Sequence, residues 1–293
     1  MNKSKHLIIG FMAVICLLAN ILNHDMQFTI ISIIGYVIML SLSFVKYEWI
    51  EKYYIWIIDV FIAILVIINI TPLGYTVNGM KCLKIVKYFI SNSVLLLMFL
   101  PLAAIFMNRI KARKPFWILL GITAVVHIFH RPKTLWETFV SKEGNAAYIY
   151  EQIERFSKES KFIGSSDLLE DMPKFLPEYR TGTILTAYGV EYGIAVKVIV
   201  CVILVALLGM IIYQMVKKNV NRDIFAIGCV TSIGLEVVII ILQNMLLIPY
   251  KALVTFLPFY SKGLGSLIMC YMLMGLILSV FNVKDDVYKK KTM

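Results

Sequence analysis

Charged residues are scarce in this chain, at 16% of 293 residues, whereas hydrophobic residues make up 60%. A soluble domain carries about 25% charged residues, so the composition excludes that class. Long runs nearly free of charge recur along the sequence, and roughly 20 apolar residues are enough to cross a ~30 Å hydrocarbon core. The sequence therefore predicts an all-α, polytopic transmembrane helix bundle, forming a single integral membrane domain over residues 1–293.

Patterns typical of disulfide frameworks and metal sites are also lacking. The five cysteines include no C-x-x-C pair, and four of them lie inside apolar runs. His127 and His130 have i, i+3 spacing, but no carboxylate lies beside them to complete a metal site. We therefore expect neither a metal nor a cofactor.

Eight segments are predicted to span the membrane. The first is expected to be retained, because no signal-peptide cleavage pattern follows it. The predicted boundaries are 7–23, 27–45, 54–72, 90–108, 115–130, 185–214, 223–247 and 263–283.

Acidic residues are fewer than basic ones, 18 against 29, which gives a formal net charge of +11. Basic residues in short loops mark the cytoplasmic side of a membrane protein. The clusters at 109–114 and 217–222, with the lysines near both termini, fall on one side of the predicted spans. Both termini are therefore predicted to be cytoplasmic. The excess positive charge is suited to anionic lipid headgroups, and nothing in the sequence favours nucleic acid as a partner.

One long polar segment, residues 131–184, is predicted to lie on the extracytoplasmic side. Within it, residues 145–157 place apolar side chains at helical spacing, at Ala146, Ile149, Tyr150, Ile153 and Phe156. This pattern predicts an amphipathic interfacial helix with its apolar face on the membrane surface. Packing of the same face against the bundle is the alternative, and the sequence does not separate the two.

Six stretches, in chain order, resemble motifs of the SEDS family (shape, elongation, division and sporulation), which includes FtsW, RodA and SpoVE. GYTVNGMKCLKI is similar to N-G-A-x-R-W-I, GNAAYIYEQI to G-x-G-Y-Q-x-x-Q-S, and LPEYRT to L-P-E-A-H-T-D. GVEYG is similar to G-E-E-L-G, LLIP to L-L-P, and LPFYSKGLGS to L-P-F-I-S-Y-G-G-S-S. Together these stretches cover roughly residues 70–285, and the chain is identified as a shortened, divergent member.

The resemblance implies a bundle that usually has ten spans, so this chain is expected to lack about one helical hairpin. It also implies a peptidoglycan glycosyltransferase that polymerises a lipid-linked precursor on the outer face of the bacterial plasma membrane. The implied partners are that precursor, membrane lipids, and a single-span penicillin-binding protein or other division and shape proteins. A flippase role has also been proposed for the family.

The family's proposed catalytic carboxylate follows the Thr of L-P-E-A-H-T-D, and the matching position here is Gly182. A general base at that position would take the proton of the attacking sugar hydroxyl and contribute typically about 10²–10⁴-fold. Other polar groups of the family are also replaced, by Cys82, Leu83, Val94 and Leu97. Loss of charges inside a membrane removes groups that normally persist for function.

The remaining candidates are polar residues in the outer loops. Glu178 is the alternative catalytic carboxylate, with a solvated local ion pair as its simpler interpretation. The resemblance and the loop charges assign substrate binding to Asn78, Lys81, Lys84, Pro177, Arg180, Thr181, Ser261, Gly263 and Ser266. Lys197 and Glu236 lie in apolar spans and are predicted to pair, because an unpaired charge there is costly.

Three functions remain open from the sequence. The first is a membrane protein of cell-wall assembly with a degenerate transferase site that binds lipid-linked precursor or a partner. The second is an active glycosyltransferase that uses another carboxylate, such as Glu178. The third is a lipid-precursor flippase or another transporter. The sequence leaves open whether the chain is an enzyme, and whether it serves division, elongation or sporulation.

Overall fold

The computed structural model describes residues 3–45, separate helical positions between 49 and 67, and residues 74–77, 80–85, 88–91, 97–104, 145–176, 179–218, 224–248 and 256–282. The chain forms two compact units. The first comprises Met1–Leu120, Leu207–Gly234 and Leu264–Met293, and the second comprises Gly121–Ala206 and Leu235–Gly263. The expectation of one integral membrane domain stays a prediction.

The structure is mainly helical, which confirms a polytopic helical membrane protein. The helices are α1 (Lys3–Asn23), α2 (Met26–Ser43), α3 (Asn145–Lys158), α4 (Met172–Phe175), α5 (Ile184–Glu191), α6 (Ile194–Lys217), α7 (Ile224–Asn244) and α8 (Leu264–Val280). Among the described residues, α1, α2, α6 and α7 are long and apolar enough to cross a membrane, and α8 is a shorter apolar helix. Predicted span 115–130 lies outside the described residues.

In the first unit, α8 packs along α2, and α1 also packs against α2. The two helices approach closely at Gly275 of α8, where an added Cβ would lie 2.7 Å from Met39 O. One turn earlier on α8, the Tyr271 hydroxyl and Ser32 Oγ lie 3.1 Å apart. Ser32 Oγ also lies 3.3 Å from Cys16 Sγ, so a small polar chain links α1, α2 and α8 inside an otherwise apolar interface.

The ends of these three helices meet around Lys5, which is fully buried. Lys5 Nζ donates to Ser43 O, the last carbonyl of α2, and to Asn282 Oδ1 at 2.9 Å. Asn282 Nδ2 donates to the same Ser43 O at 2.6 Å. The lysine head also lies 4.6 Å from the centroid of the Phe44 ring. A cation at the C-terminus of α2 stabilises the unsatisfied carbonyls there.

A small three-stranded antiparallel sheet, which the sequence analysis did not predict, belongs to the same unit. Its strands are β1 (Gly74–Val77), β2 (Met80–Ile85) and β3 (Tyr88–Ser91). Val77 pairs with Met80, so only Asn78 and Gly79 connect the first two strands. Asn-Gly is the strongest short-range hairpin signal, and it was available in the sequence. Because β3 extends to Ser91, the predicted span 90–108 begins too early; helical structure is described over 97–104.

In the second unit, α3 is present where the amphipathic pattern predicted a helix. Its apolar side chains Ile149, Ile153 and Phe156 are buried in one cluster with Met172 and Leu176. Ala187 and Val190 of α5 belong to the same cluster. The apolar face of α3 therefore packs on protein, as in the alternative considered from the sequence. The extracytoplasmic and interfacial placement of α3 stays a prediction.

The predicted span 185–214 is divided into two helices, α5 and α6, at Gly193. This residue has φ +101°, a conformation that side chains other than glycine rarely adopt. A Cβ here would also lie 2.7 Å from Phe162 O and 2.8 Å from Ile163 Cα. The single continuous span was therefore a wrong prediction, because hydrophobicity does not report a backbone break. One consequence is that Lys197 lies in the first turn of α6 rather than about 13 residues into a span.

Candidate functional site

The loop at residues 180–182 is fixed by its main chain. Its three consecutive carbonyl oxygens each accept a hydrogen bond from elsewhere in the second unit. Lys262 N donates to Arg180 O at 3.0 Å, and Ser261 Oγ donates to Thr181 O at 3.2 Å. Asn244 Nδ2 donates to Gly182 O at 3.1 Å. The loop is thus held at each residue independently of that residue's own side chain.

Asn244, the last residue of α7 and 1% exposed, is the centre of this arrangement. Its Nδ2 donates to Gly182 O and, at 2.9 Å, to Ile240 O. Its Oδ1 accepts from Thr186 N at 3.1 Å and from Thr186 Oγ1 at 3.0 Å. Both donors and both acceptor positions of the amide are used, and the two carbonyls and two donors around it define its orientation.

The same amide completes the start of α5. Thr183 is the N-cap residue, but its side chain makes no cap hydrogen bond. The first amide groups of a helix have no partner within the helix and need an acceptor from outside. Thr186 N donates one hydrogen bond to Thr183 O at 3.0 Å and another to Asn244 Oδ1. A side chain at the C-terminus of α7 therefore serves as a cap for α5.

Lys197 approaches the same helix end from α6. Its Nζ donates to Asn244 O at 2.9 Å. This carbonyl belongs to the last residue of α7, where the partial negative charge of a helix C-terminus favours a cation. Glu236 is also buried and lies two turns before Asn244 on α7. The predicted ion pair between Lys197 and Glu236 stays a prediction.

The side chains of the loop differ in exposure. Gly182 is buried, Thr181 is half-buried and Arg180 is exposed. Arg180 Nε donates to the Tyr179 hydroxyl at 2.8 Å, and the guanidinium lies 5.1 Å from the Tyr179 ring centroid. Arg180 and Lys262 are joined by a main-chain hydrogen bond, and each supplies a cationic side chain from its own segment. No acid is present at residue 182 to oppose them.

The turn that donates to the loop is itself held by internal hydrogen bonds. Leu257 N donates to Ser261 Oγ at 2.6 Å, so this hydroxyl accepts within its own turn and donates to Thr181 O. Phe259 has φ +68° in the same turn. Tyr260 is fully buried and lies edge-on to Tyr188, with ring centroids 6.3 Å apart. Burial raises the pKa of the Tyr260 hydroxyl, so this group stays neutral at physiological pH.

The structure brings together only part of the predicted set. Arg180, Thr181, Gly182 and Ser261 lie in one hydrogen-bonded assembly, with Gly263 immediately after Lys262. Lys81 and Lys84 lie on β2, and Ser266 lies in the first turn of α8, all in the first unit. Asn78, Pro177 and the alternative catalytic residue Glu178 lie outside the described residues. Within the part of the chain that is described, no cluster of three His, Cys, Asp or Glu side chains is suited to a metal ion.

Two residues of this assembly were missed from the sequence. Asn244 precedes the LLIP stretch and belongs to no motif, although a polar side chain near the end of an apolar helix was a visible signal. Lys262 lies in the LPFYSKGLGS stretch, but its main-chain contact with Arg180 has no sequence signature. Both contacts join residues more than 60 positions apart, which local patterns do not report.

Comparison with known proteins supports the motif-based resemblance. Residues 164–285 match the sequence model of the FtsW, RodA and SpoVE family, which is described as a cell cycle protein family. This range contains four of the six motifs, including LPEYRT with the loop described above. The SEDS resemblance is therefore confirmed. No curated protein sequence matches the chain at a significant level.

Two solved structures share the fold over most of the chain. One is a chain of a peptidoglycan synthase complex described as coordinating polymerization and crosslinking, with a TM-score of 0.70 and 14% identity. The other is a mutant of the rod-shape-determining protein RodA from Thermus thermophilus, with a TM-score of 0.59 and 15% identity. Each alignment covers 94% of this chain and 96% of the other. At these identities the likeness shows the fold alone.

Proposed function

Because residues 164–285 belong by sequence to the FtsW, RodA and SpoVE family, we propose that the chain is a cell-wall assembly protein of the bacterial plasma membrane. We propose that it binds the lipid-linked peptidoglycan precursor without polymerising it. The observation that carries this proposal is Gly182. The family's acidic position holds a buried residue with no side chain, on a loop whose main chain is fixed at every carbonyl.

Chemistry and binding place different demands on this loop. Polymerisation needs a base within hydrogen-bond reach of the attacking sugar hydroxyl, and glycine supplies none. Binding of a pyrophosphate-linked lipid needs cationic donors in a fixed arrangement. Arg180 and Lys262 meet that second demand, because a main-chain hydrogen bond joins them and Tyr179 orients the Arg180 guanidinium. The geometry therefore favours recognition of an anionic headgroup over catalysis.

A single-span penicillin-binding protein is the protein partner we propose. The supporting observation is the fold shared with a chain of the peptidoglycan synthase complex. In this arrangement the chain would present the precursor to an enzyme supplied by the partner. Co-purification of the chain with candidate single-span partners, before and after deletion of the partner's span, tests this part separately.

The direct test uses purified protein in nanodiscs with labelled lipid-linked precursor, followed by binding and by gel separation of glycan products. We expect binding without polymer. The double substitution of Arg180 and Lys262 by Ala should weaken binding about tenfold or more, since a hydrogen bond to a charged group contributes roughly 1.5–3 kcal/mol and each ~1.4 kcal/mol is tenfold. Lys158→Ala, which removes an exposed lysine bonded to Glu154, is the matched control for loss of charge and should bind normally.

The active-transferase alternative predicts a different result. Polymer made by the unmodified chain and lost in Glu178→Ala would overturn the degenerate-site proposal. Polymer that appears only in Gly182→Asp would support it, because one carboxylate would then restore the missing base. Precursor movement across vesicles without polymer would instead favour a flippase.

A further inference from the structure

Two large apolar side chains of the second unit are mostly exposed, in the segment between α3 and α4. Phe162 is 71% exposed and Ile163 is 73% exposed. They are adjacent, and they form an apolar tip on the loop 159–164. Single exposed hydrophobic residues are ordinary on protein surfaces, but an adjacent aromatic and β-branched pair on a fixed loop indicates a contact surface.

The loop that carries this tip is bound to the junction of α5 and α6. Ile194 N donates to Lys161 O at 3.0 Å, and Ala195 N donates to Phe162 O at 3.1 Å. These are the first two amides of α6, so the loop supplies the acceptors that cap this helix. Gly164 N donates back to Tyr192 O at 3.0 Å. The tip is therefore fixed directly beside the N-terminus of a 24-residue apolar helix.

The outward side of α6 is apolar from that point onward. Val198, Ile199, Val202 and Val205 are about half exposed in the protein, which is the pattern expected where a spanning helix faces lipid. The tip precedes this face by one turn of α6. The two side chains of the tip therefore lie beside the first turn of this apolar helix, next to its exposed face. At the end of a membrane-spanning helix, aromatic and aliphatic side chains are stabilised by the bilayer interface.

We propose that Phe162 and Ile163 insert into the bilayer interface beside the N-terminus of α6, so that lipid is the occupant of this tip. The contact anchors the loop 159–164 to the membrane. Through the hydrogen bonds of Gly164 and Ser166 to Tyr192 O and Val190 O, it also fixes α5 relative to the bilayer. The proposal does not depend on the proposed function, because lipid contact at the tip requires no precursor and no transferase chemistry.

The test is site-specific photocrosslinking of the full-length protein. A benzophenone amino acid replaces Phe162, or Ile163 in a second variant, and the protein is reconstituted in vesicles of phosphatidylethanolamine and phosphatidylglycerol. The matched control carries the same group at Asp167, on the same surface segment, whose side chain is 92% exposed. Among the described residues, Asp167 forms an exposed ion pair with Lys161, so its replacement has little structural cost. Size-exclusion chromatography verifies that each variant remains folded.

After irradiation, we expect the variants with the benzophenone at residue 162 or 163 to gain the mass of one phospholipid. The variant with the benzophenone at residue 167 should show no such gain. A lipid adduct of equal yield at all three positions would overturn the proposal, because it would indicate random collision. Absence of any lipid adduct at 162 and 163 would place the tip in water and would also overturn it. The same variants are also irradiated in native membranes. A protein adduct in place of a lipid adduct would overturn the proposal, because it would identify the tip as a surface for a protein partner.

Discussion

The two units differ in how their buried polar groups are hydrogen-bonded: one carbonyl has two donors in the first unit, and one side chain bonds several groups in the second. In the first unit, Ser43 O accepts from both Lys5 and Asn282, so one acceptor has two donors from two helix ends. In the second unit the relation is reversed. The single side chain of Asn244 serves Gly182 O, Ile240 O and both donors of Thr186.

The contact at Ser43 O is therefore redundant, whereas the contacts around Asn244 all depend on one side chain. Removal of one donor in the first unit leaves Ser43 O with the other, so the cost of an unmet buried carbonyl is avoided. Removal of the Asn244 amide withdraws all four hydrogen bonds at once. A buried network that is only partly satisfied is destabilising, so the second unit should be the more sensitive to single substitutions.

The largest effect is expected for Asn244→Ala. This variant removes the donor to Gly182 O, the acceptor of Thr186 Oγ1 and one of the two acceptors of Thr186 N. We expect a loss of roughly 3–4 kcal/mol, in the upper range for breaking a buried network. Thermal unfolding in detergent micelles, followed by intrinsic fluorescence, measures the change. Asn244→Asp is the matched control, since it keeps the acceptor for Thr186 but loses both donors. An unchanged melting temperature in Asn244→Ala would contradict the proposed central role.

The next effect is expected for Gly193→Ala. The added Cβ meets Phe162 O at 2.7 Å and the positive φ is strained, so we expect a loss of roughly 3 kcal/mol. Gly164→Ala is the control, because Gly164 also has positive φ, +87°, but no atom lies within 4 Å of its added Cβ. That variant should lose only about 1 kcal/mol from backbone strain. Equal losses in the two variants would show that the close approach of the loop to Gly193 contributes nothing.

A smaller effect is expected for Lys5→Met in the first unit. Ser43 O keeps its bond from Asn282, so we expect a loss of about 1–2 kcal/mol in the same unfolding assay. The double variant Lys5→Met, Asn282→Leu should lose more than the sum of the two single losses, because only then is the carbonyl left without either donor. Strictly additive losses would contradict the redundancy inferred for this end of the unit.

The smallest effect on stability is expected for Arg180→Ala. The main chain of the loop is held through carbonyls, and Arg180 is exposed, so unfolding should change by less than about 0.5 kcal/mol. Precursor binding should still weaken in this variant. A stability loss comparable to that of Asn244→Ala would show that the Arg180 side chain, and not the main chain, positions the loop.

Hydrophobicity predicted α1, α2, α7 and α8, because a spanning segment needs a continuous apolar run whatever it packs against. It failed at Gly193, where the apolar run continues through a break in the backbone. The sheet at 74–91 was missed although Asn78-Gly79 signalled a hairpin. The motifs predicted the loop residues Arg180, Thr181 and Ser261, but Asn244 and Lys262 were missed, since their roles depend on contacts between segments far apart in the chain.

The carbonyl contacts of residues 180–182 have an evolutionary consequence. Because none of the three bonds uses the loop's own side chains, the identity of these residues can drift without displacing the backbone. The hydrogen bond from Asn244 uses the carbonyl of residue 182, which an acid and a glycine both have, and one codon change would convert one into the other. Under the proposed function, replacement of the acid at residue 182 would therefore leave the main-chain contacts of the loop in place.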